Sequence, residues 1–367
     1  MRLSFVRLRA QIVKELLCVL RDPKSRVILF VPPLVQLAIL SFAFTLEVKN
    51  VDIAILNRDA GGAALEFVQR ATASELVRRV HVATSEAEVA AMLDEQRVLA
   101  ALVVPPTFSR DARRGQATVQ VLIDGRRSYA GQIALGYFQT IAASAGMGIS
   151  AGNVRDIAPV RHWFNPNLTY RWFVVPGLAG VLLTISALLL TALSIARERE
   201  LGTFEQLLVS PCTPAEIIVA KTAPGFLIGA TLALLMEATA VFGFGIPFTG
   251  SFALLFGSML LFILSIVGIG LAISAVCSTQ QQAILGCFAL AIPTMVLSGF
   301  ATPVDNMPEA LQWLAQAIPL KHFLLILHGS FLKAMPASEV FANAWPMALI
   351  AAVTLPLAAR LVRGKLQ

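Results

Sequence analysis

Apolar residues in this chain gather into runs of about 20, the length an α-helix needs to cross a hydrocarbon layer about 30 Å thick. The runs cover 27–46, 172–195, 218–244, 252–277, 281–300 and 342–361. Between the first two the pattern changes. "VDIAILN" (51–57), "RVHVAT" (79–84), "RVLAALVVP" (97–105) and "ATVQVLID" (117–124) are short, rich in β-branched residues and bounded by turn signals, so they predict strands. Helical patterns separate them, at Gly61–Ala73 and in "SEAEVAAMLDEQ" (85–96), where Ser85 and Glu88 have the spacing of a capping box. The block 128–150 is long enough to span, but its glycines and alanines with Gln132 and Gln139 mark it as a helix of the same domain.

Ahead of the first span, residues 1–25 place Phe5, Leu8, Ile12, Leu16 and Leu20 at helical spacing, with Arg2, Arg7 and Lys14 elsewhere. That is an amphipathic helix suited to a membrane surface, and Asp22-Pro23 ends it. Pro32 and Pro33 fall in the first turns of the first span, where a kink is tolerable if neighbours satisfy the freed carbonyls. The pattern predicts a polytopic α-helical membrane protein: six transmembrane helices with an extracytoplasmic α/β domain between helices 1 and 2. The expected divisions are an amphipathic segment 1–25, a first helix 26–46, the α/β domain 47–165, and five further spans within 166–367. A charged loop, 197–214, comes after the second span. A segment broken by prolines, 301–335, precedes the last and is expected to form short re-entrant or interfacial helices.

Composition sharpens this picture. Of 367 residues, 57% are hydrophobic and 14% charged, against roughly 25% charged in a soluble domain; the mean hydropathy is +0.74. The net charge of +7 comes from basic residues beside the spans and in the α/β block. No basic stripe with interleaved aromatics is present, which excludes nucleic acid as a partner and leaves membrane lipid. Short segments orient the spans. Arg2, Arg7, Arg9, Lys14, Arg21, Lys24 and Arg26 precede the first, Arg197 and Arg199 lie in the loop after the second, and Arg360, Arg363 and Lys365 close the chain, whereas 245–251 has no Lys or Arg. The bias places both termini and the charged loop in the cytoplasm and the α/β domain outside.

No catalytic or metal site is predicted. Cys18, Cys212, Cys277 and Cys287 form no CxxC, and His81, His162, His322 and His328 have no ligand spacing. The first apolar run is too long for a signal-peptide core and no small-residue cleavage site comes after it, so it reads as a retained span. No internal repeat is evident. Glu237 lies inside the third span, where a carboxylate costs about 2–3 kcal/mol. It is a candidate substrate- or cation-contacting group, with a buried structural hydrogen bond or a protonated carboxyl as the plainer alternative.

The strip "ARERELGTFEQLLVSP" (196–211) carries the charged residues Arg197, Glu198, Arg199, Glu200 and Glu205 between two of the most apolar stretches of the chain. On a helical wheel Leu201, Phe204 and Leu208 share an arc, while Glu198, Arg199, Gly202, Glu205 and Gln206 fall opposite, predicting a short amphipathic helix over "RELGTFEQLL". Alternating acids and bases favour a protein groove over anionic lipid. "STQQQA" (278–283) is a polar turn, either a second cytoplasmic contact or a tight connection.

"ERELGTFEQLLVSPCTPAEIIVAK" (198–221) resembles the signature of the membrane subunits of ABC type-2 transporters, E-R-E-x-G-T-x-E-x-L-x-x-[ST]-P and then an acid and a lysine. "NPNLTYRWFVVPGLAG" (165–180) and "PTMVLSGFATPVDNMPEALQWLAQAIPLKHFL" (293–324) resemble the second-span entry and the fifth-span region of the subgroup with a large extracytoplasmic domain. The resemblance implies a half-transporter that pairs with a second permease subunit, as homo- or heterodimer, and with two copies of an ABC ATPase that binds ATP and Mg. It implies that the charged loop is the coupling helix seated in that ATPase. The residues carried over are Glu198, Arg199, Glu200, Gly202, Thr203, Glu205 and Pro211, and 1–25 becomes the family's connecting helix. The chain's one Gly-Lys pair, Gly364-Lys365, precedes Leu366 and lacks the upstream glycine of a P-loop, so the chain itself needs no cofactor and is no enzyme. The expected function is export of a small amphipathic or hydrophobic compound across the bacterial inner membrane, with a periplasmic adaptor and outer-membrane channel as further partners. Two other classes stay open: an ion-coupled secondary transporter using Glu237, and a membrane-anchored sensor of a periplasmic ligand.

Overall fold

The structure, a computed structural model, describes residues 5–21, 23–43, 51–73, 76–144, 169–203 and 213–364. The chain forms two units, one of Met1–Phe44 with His162–Gln367 and one of Thr45–Arg161.

The first unit opens with α1 (Phe5–Leu20) and α2 (Pro23–Ala43). Proline at the first position of α2 loses no helical bond, because that N–H has no partner within a helix. Helix α1 packs along a later span with Leu8, Ile12 and Leu16 half-buried, but Phe5, expected on the same stripe, is 79% exposed and Leu20 is exposed too. The buried side instead includes Arg7, Gln11 and Glu15. At 21 residues α2 is about 31 Å long, and its apolar stretch is the shorter Leu29–Ala43.

The second unit is an α/β sandwich in chain order β1 (Val51–Asn57), α3 (Gly62–Thr72), β2 (Val77–Val82), α4 (Glu86–Asp94), β3 (Ala100–Val104), α5 (Phe108–Ala112), β4 (Gln120–Ile123) and α6 (Ser128–Ser144). The strands lie in the order β2-β1-β3-β4, with β1 parallel to both neighbours and β4 antiparallel to β3. Ile53, Ile55 and Leu102 face Phe67 and Phe108, while Ala54, Leu56 and Ala101 face Val89 and Met92 of α4. Being covered on both faces, the central strands read as continuous apolar runs. The Ser85 hydroxyl caps α4 by accepting from the Glu88 N–H at 3.2 Å, but the Glu88 carboxylate reaches past Ser85 to the Thr84 N–H at 2.8 Å and hydroxyl at 2.9 Å. The expected box is therefore shifted by one residue.

The first unit resumes with α7 (Arg171–Glu200), α8 (Pro214–Ala238), α9 (Phe252–Val276), α10 (Gln280–Leu297), α11 (Glu309–Gln316), α12 (Pro319–His328) and α13 (Ala337–Arg363). Five helices are long and apolar enough to cross a membrane: Arg171–Glu200, Ala215–Gly243, Phe252–Val276, Gln280–Leu297 and Ala337–Arg363. The apolar core of α7 is 72% buried, against 17% for α13. Helix α7 accordingly packs on α2, α8, α9, α10 and α12. Helix α13 turns Phe341, Trp345, Leu349, Val353 and Leu357 outward at four-residue spacing, an apolar outer face fit for lipid.

The segment expected to form re-entrant or interfacial helices, 301–335, holds two helices of different kinds. Helix α11 is a surface helix with Trp313 exposed. Helix α12 is not. It leaves α11 at 82° and buries Leu320, His322, Phe323, Leu324, Ile326 and Leu327 against α7, α9 and α13. Pro319 ends one helix and starts the next, and the apolar run after it has the composition of a core. This pair is a broken span or a re-entrant loop.

Small residues set the closest approach in the bundle. A Cβ built on Gly225 of α8 would run into Thr191 Cγ2, and one on Gly270 of α9 into Thr191 Oγ1. Thr191 bonds back to the Ala187 carbonyl of its own helix at 2.7 Å and so cannot swing away freely. Close backbone approach is how spans gain attraction where no hydrophobic drive separates protein from lipid. Gly270→Ala should destabilise the purified protein in detergent by about 1–3 kcal/mol of overpacking, read as a lower thermal midpoint. Adding Thr191→Ala should restore most of the loss. Equal midpoints for Gly270→Ala and the parent would refute this packing.

Candidate functional site

The signature residues converge where α7 ends. At 30 residues α7 is about 45 Å long, about half as long again as a hydrocarbon layer is thick. Its last turn, Arg197 to Glu200, therefore extends beyond the apolar stretch. The helix stops at Gly202, whose φ of +70° lies in the left-handed region. The Gly202 N–H donates to the Arg199 carbonyl at 3.1 Å and the Thr203 N–H to the Glu198 carbonyl at 3.0 Å. These two bonds are the Schellman termination that glycine permits without strain. The amphipathic helix expected over "RELGTFEQLL" is thus not continuous. Its first residues belong to the span, and a left-handed glycine separates them from the rest of the strip. Glu205 and Pro211 lie outside the described residues.

The three charges before the stop face other helices. Arg199 Nη1 donates to the Ala275 and Cys277 carbonyls at 2.8 and 2.9 Å, filling acceptors that the end of α9 leaves open. Glu200 Oε2 accepts the Gln280 N–H at 2.8 Å, at the start of α10, where a carboxylate also meets the positive end of the helix dipole. Thr279 caps the same helix, so "STQQQA" is a capped helix start. One turn earlier, Ser274 Oγ accepts from the Ile195 and Ala196 N–H groups at 2.9 and 3.1 Å, fixing α9 against α7.

Glu198 takes part in a charge cluster built around a buried lysine. Lys221 of α8 is 3% exposed. Its Nζ lies 2.5 Å from Glu198 Oε1 and 2.8 Å from Glu15 Oε2 of α1. Lys14 adds contacts of 3.3 Å to Glu15 and 3.8 Å to Glu198. Burial works against the Lys14 ammonium, but Glu15 and Glu198 outweigh it and hold the pKa above the ordinary lysine value. Two ammoniums thus face two carboxylates, contributed by α1, α7 and α8. Close by, Thr213 and Glu216 form a capping box at the start of α8, and the fully buried Glu216 meets Arg7 of α1 at 3.7 Å.

Sequence reasoning named Glu198 but missed Glu15, Lys14 and Lys221 as its partners. The available signal was an acid, Glu15, next to Leu16 on the half-apolar side of an amphipathic helix, and a lysine one turn inside a span. Glu237 lies far from this cluster, on α8 near the other end, 9% exposed. Among the described residues no group of His, Cys, Asp and Glu could hold a metal ion.

The α/β unit bears on the sensor alternative. In such sheets ligands bind beyond the carboxyl ends of strands whose connections diverge, here β1 and β3. That place is occupied from within. The Asp59 carboxylate accepts the Gly61 N–H at 2.8 Å and the Ser109 N–H at 2.5 Å, and Ser109 Oγ accepts the Ala64 N–H at 3.2 Å. The backbone N–H of Ser109, foremost among these donors, holds the Asp59 pKa below the usual carboxylate range.

The family model described as ABC-2 family transporter protein matches residues 24–360. The chain is 40% identical over 365 residues to the probable multidrug ABC transporter permease YbhR of Escherichia coli K12, covering 98% of this chain and 99% of that protein. It is 32% identical over 338 residues to the probable multidrug ABC transporter permease YbhS of the same strain, covering 90% and 89%. It is 30% identical over 275 residues to the inner membrane transport permease YhhJ, also of that strain, covering 71% of each chain.

Removing the buried ammonium tests the cluster. Lys221→Met leaves Glu15 and Glu198 buried without their nearest counter-charge and should destabilise the junction by about 3–5 kcal/mol. Amide exchange should accelerate across Phe5–Leu20 more than across α13. The double variant Glu15→Gln/Lys221→Met should recover part of the protection, and unchanged exchange in α1 would refute the lock.

Proposed function

The chain belongs to the ABC-2 transporter family, and we propose that it is the membrane half of an ATP-driven exporter whose coupling segment is 203–213. It is a multi-pass permease subunit. In the proposed assembly it pairs with a second permease subunit, identical or related, and with two copies of an ABC ATPase that binds ATP and Mg. The chain lies in the bacterial inner membrane with both termini in the cytoplasm. The α/β unit is outside, where a periplasmic adaptor and an outer-membrane channel would be met. The cargo is a small amphipathic or hydrophobic compound, a reading supported by the word multidrug in the names of two relatives.

One observation carries this reading. Glu198, Arg199 and Glu200, on the span side of Gly202, are spent on α1, α8, α9 and α10, so whatever pushes on the loop after Gly202 acts on a braced junction of five helices. The signature residues then divide in function. Glu198, Arg199 and Glu200 anchor the loop, Gly202 and Thr203 set its exit, and Glu205 and Pro211 belong to the segment that meets the ATPase. The division accounts for a strip too charged for lipid on a chain with no P-loop of its own.

Co-expression with the ATPase separates the two roles. Glu205→Arg should abolish co-purification of the ATPase while leaving the permease inserted. Lys221→Met should keep co-purification but lower ATP-dependent transport in inverted vesicles at least about tenfold, because the loop's footing is loosened. Transport that survives a catalytically dead ATPase would overturn the exporter reading.

A further inference from the structure

Glu237 is the one strongly polar residue on the inner face of α8 that the coupling junction does not use. That face runs Gly225, Gly229, Ala233, Glu237 at four-residue spacing, one side of a helix. A Cβ on Gly225 would meet Val267 Cγ2 at 3.3 Å and one on Gly229 would meet Ile263 Cγ2 at 3.1 Å, which fixes α8 antiparallel to α9. Carried on in steps of four, the register brings Glu237 level with Leu255, one turn from Met259. Both are buried and apolar. The hydroxyls nearest in sequence register are committed elsewhere, Ser258 to the Leu254 carbonyl and Thr239 to the Leu235 carbonyl, each at 2.8 Å.

Glu237 is more than nine-tenths buried, and among the described residues its carboxyl has neither hydrogen bond nor ion pair. Lys221, the buried lysine of the same helix, is 16 positions away, about 24 Å along the axis, and is held by two other carboxylates. Directly after Glu237 and Ala238 the helix widens into a π-turn, Thr239–Gly243. Such single wide turns occur frequently at functional sites, where they reshape the groove beside the helix. Lipid does not explain the residue, since Glu237 is buried while Leu227, Leu235 and Phe242 are exposed apolar positions of the same segment. An unpaired carboxyl in apolar walls calls for a positive charge from outside the chain.

We propose that Glu237 is the recognition group for cationic amphiphiles, a lipophilic quaternary ammonium or phosphonium whose apolar body lies beside α8 at the π-turn that follows Glu237. The walls supply dispersion contacts and the carboxylate supplies the counter-charge, the combination of apolar lining and few polar groups expected of a small-molecule site. The proposal deepens the exporter reading and rests on it for the word cargo, though not for the binding itself.

Equilibrium binding to the full chain in nanodiscs tests it, with tetraphenylphosphonium as the cation and triphenylphosphine oxide as the neutral probe. The parent should bind the cation. Glu237→Gln, nearly identical in shape, should weaken that binding at least about tenfold while leaving neutral binding unchanged, and Glu237→Asp should retain most of the cation binding. Equal cation binding by parent and Glu237→Gln would overturn the proposal, as would a parent that does not bind the cation. ATP-driven uptake of the two probes, measured separately in inverted vesicles with the ATPase, keeps the two readings apart. Glu237-dependent binding without ATP-driven uptake sinks the exporter and keeps the site. Uptake of the neutral probe, with cation binding indifferent to Glu237, does the reverse.

Discussion

An ammonium 3% exposed among helices is tolerated only if nearby carboxylates replace the water it has lost, and that requirement at Lys221 organises one end of this molecule. Glu198 must project from the last turn of α7, and Glu15 must come from α1, which fixes how α1 lies on the bundle. Lys14 then balances the second carboxylate. None of these charges would stabilise much at a surface. Gathered around the buried Lys221 and Glu15, they make the mutual position of α1, α7 and α8 a matter of ion pairing rather than of apolar packing alone. Geometry comes from charge at this end.

The opposite end is built differently. Two helices close in π-turns, Thr239–Gly243 and Gly329–Lys333, and the loop between α8 and α9 lies against the second of them. Thr249 Oγ1 donates to the Phe331 carbonyl and accepts the Ala334 N–H, and the Gly250 N–H donates to the Ser330 carbonyl at 2.8 Å. A Cβ at Gly250 would sit 2.8 Å from that same carbonyl oxygen, so the contact depends on glycine. His328 bonds the Phe173 carbonyl through Nε2 at 2.9 Å and stacks on its ring. Neutral hydrogen bonds and ring contacts replace ion pairs here. Helix α7, pinned by Glu198, Arg199 and Glu200 at one end and by His328 at the other, is the element common to both.

Periodicity made the spans and strands legible because both are read by counting. The central strand β1 was expected at 51–57 and is observed there, while β2 lies two residues before the expected 79–84, and its pairing with β1 is irregular between Val51 and Asp52. Counting fails where one residue's backbone decides. A helical wheel has no term for Gly202 turning left-handed, so it carried the helix straight through. It also assigns charges to a solvent face by default. Glu198 and Lys221 are 23 residues apart, and the whole α/β unit separates Glu15 from both along the chain, so only the fold brings them together. For α12 the proline-broken pattern pointed to a re-entrant or interfacial helix, but not to the burial of the run after Pro319 in the core.

The signature strip can now be read as a set of helix-end assignments. Glu198 neutralises the lysine of the next span, Arg199 closes the carbonyl end of α9, Glu200 closes the amide end of α10, and Gly202 ends α7 itself. A span is free to leave the apolar region only if its terminal donors and acceptors are satisfied. At this junction one turn of α7 satisfies its own terminus and those of two neighbours. That economy explains why acids and bases alternate in the strip. Consecutive residues point in different directions around the helix, toward α8, α9 and α10 in turn, and each direction presents a group of opposite polarity. The alternation is the imprint of three different neighbours.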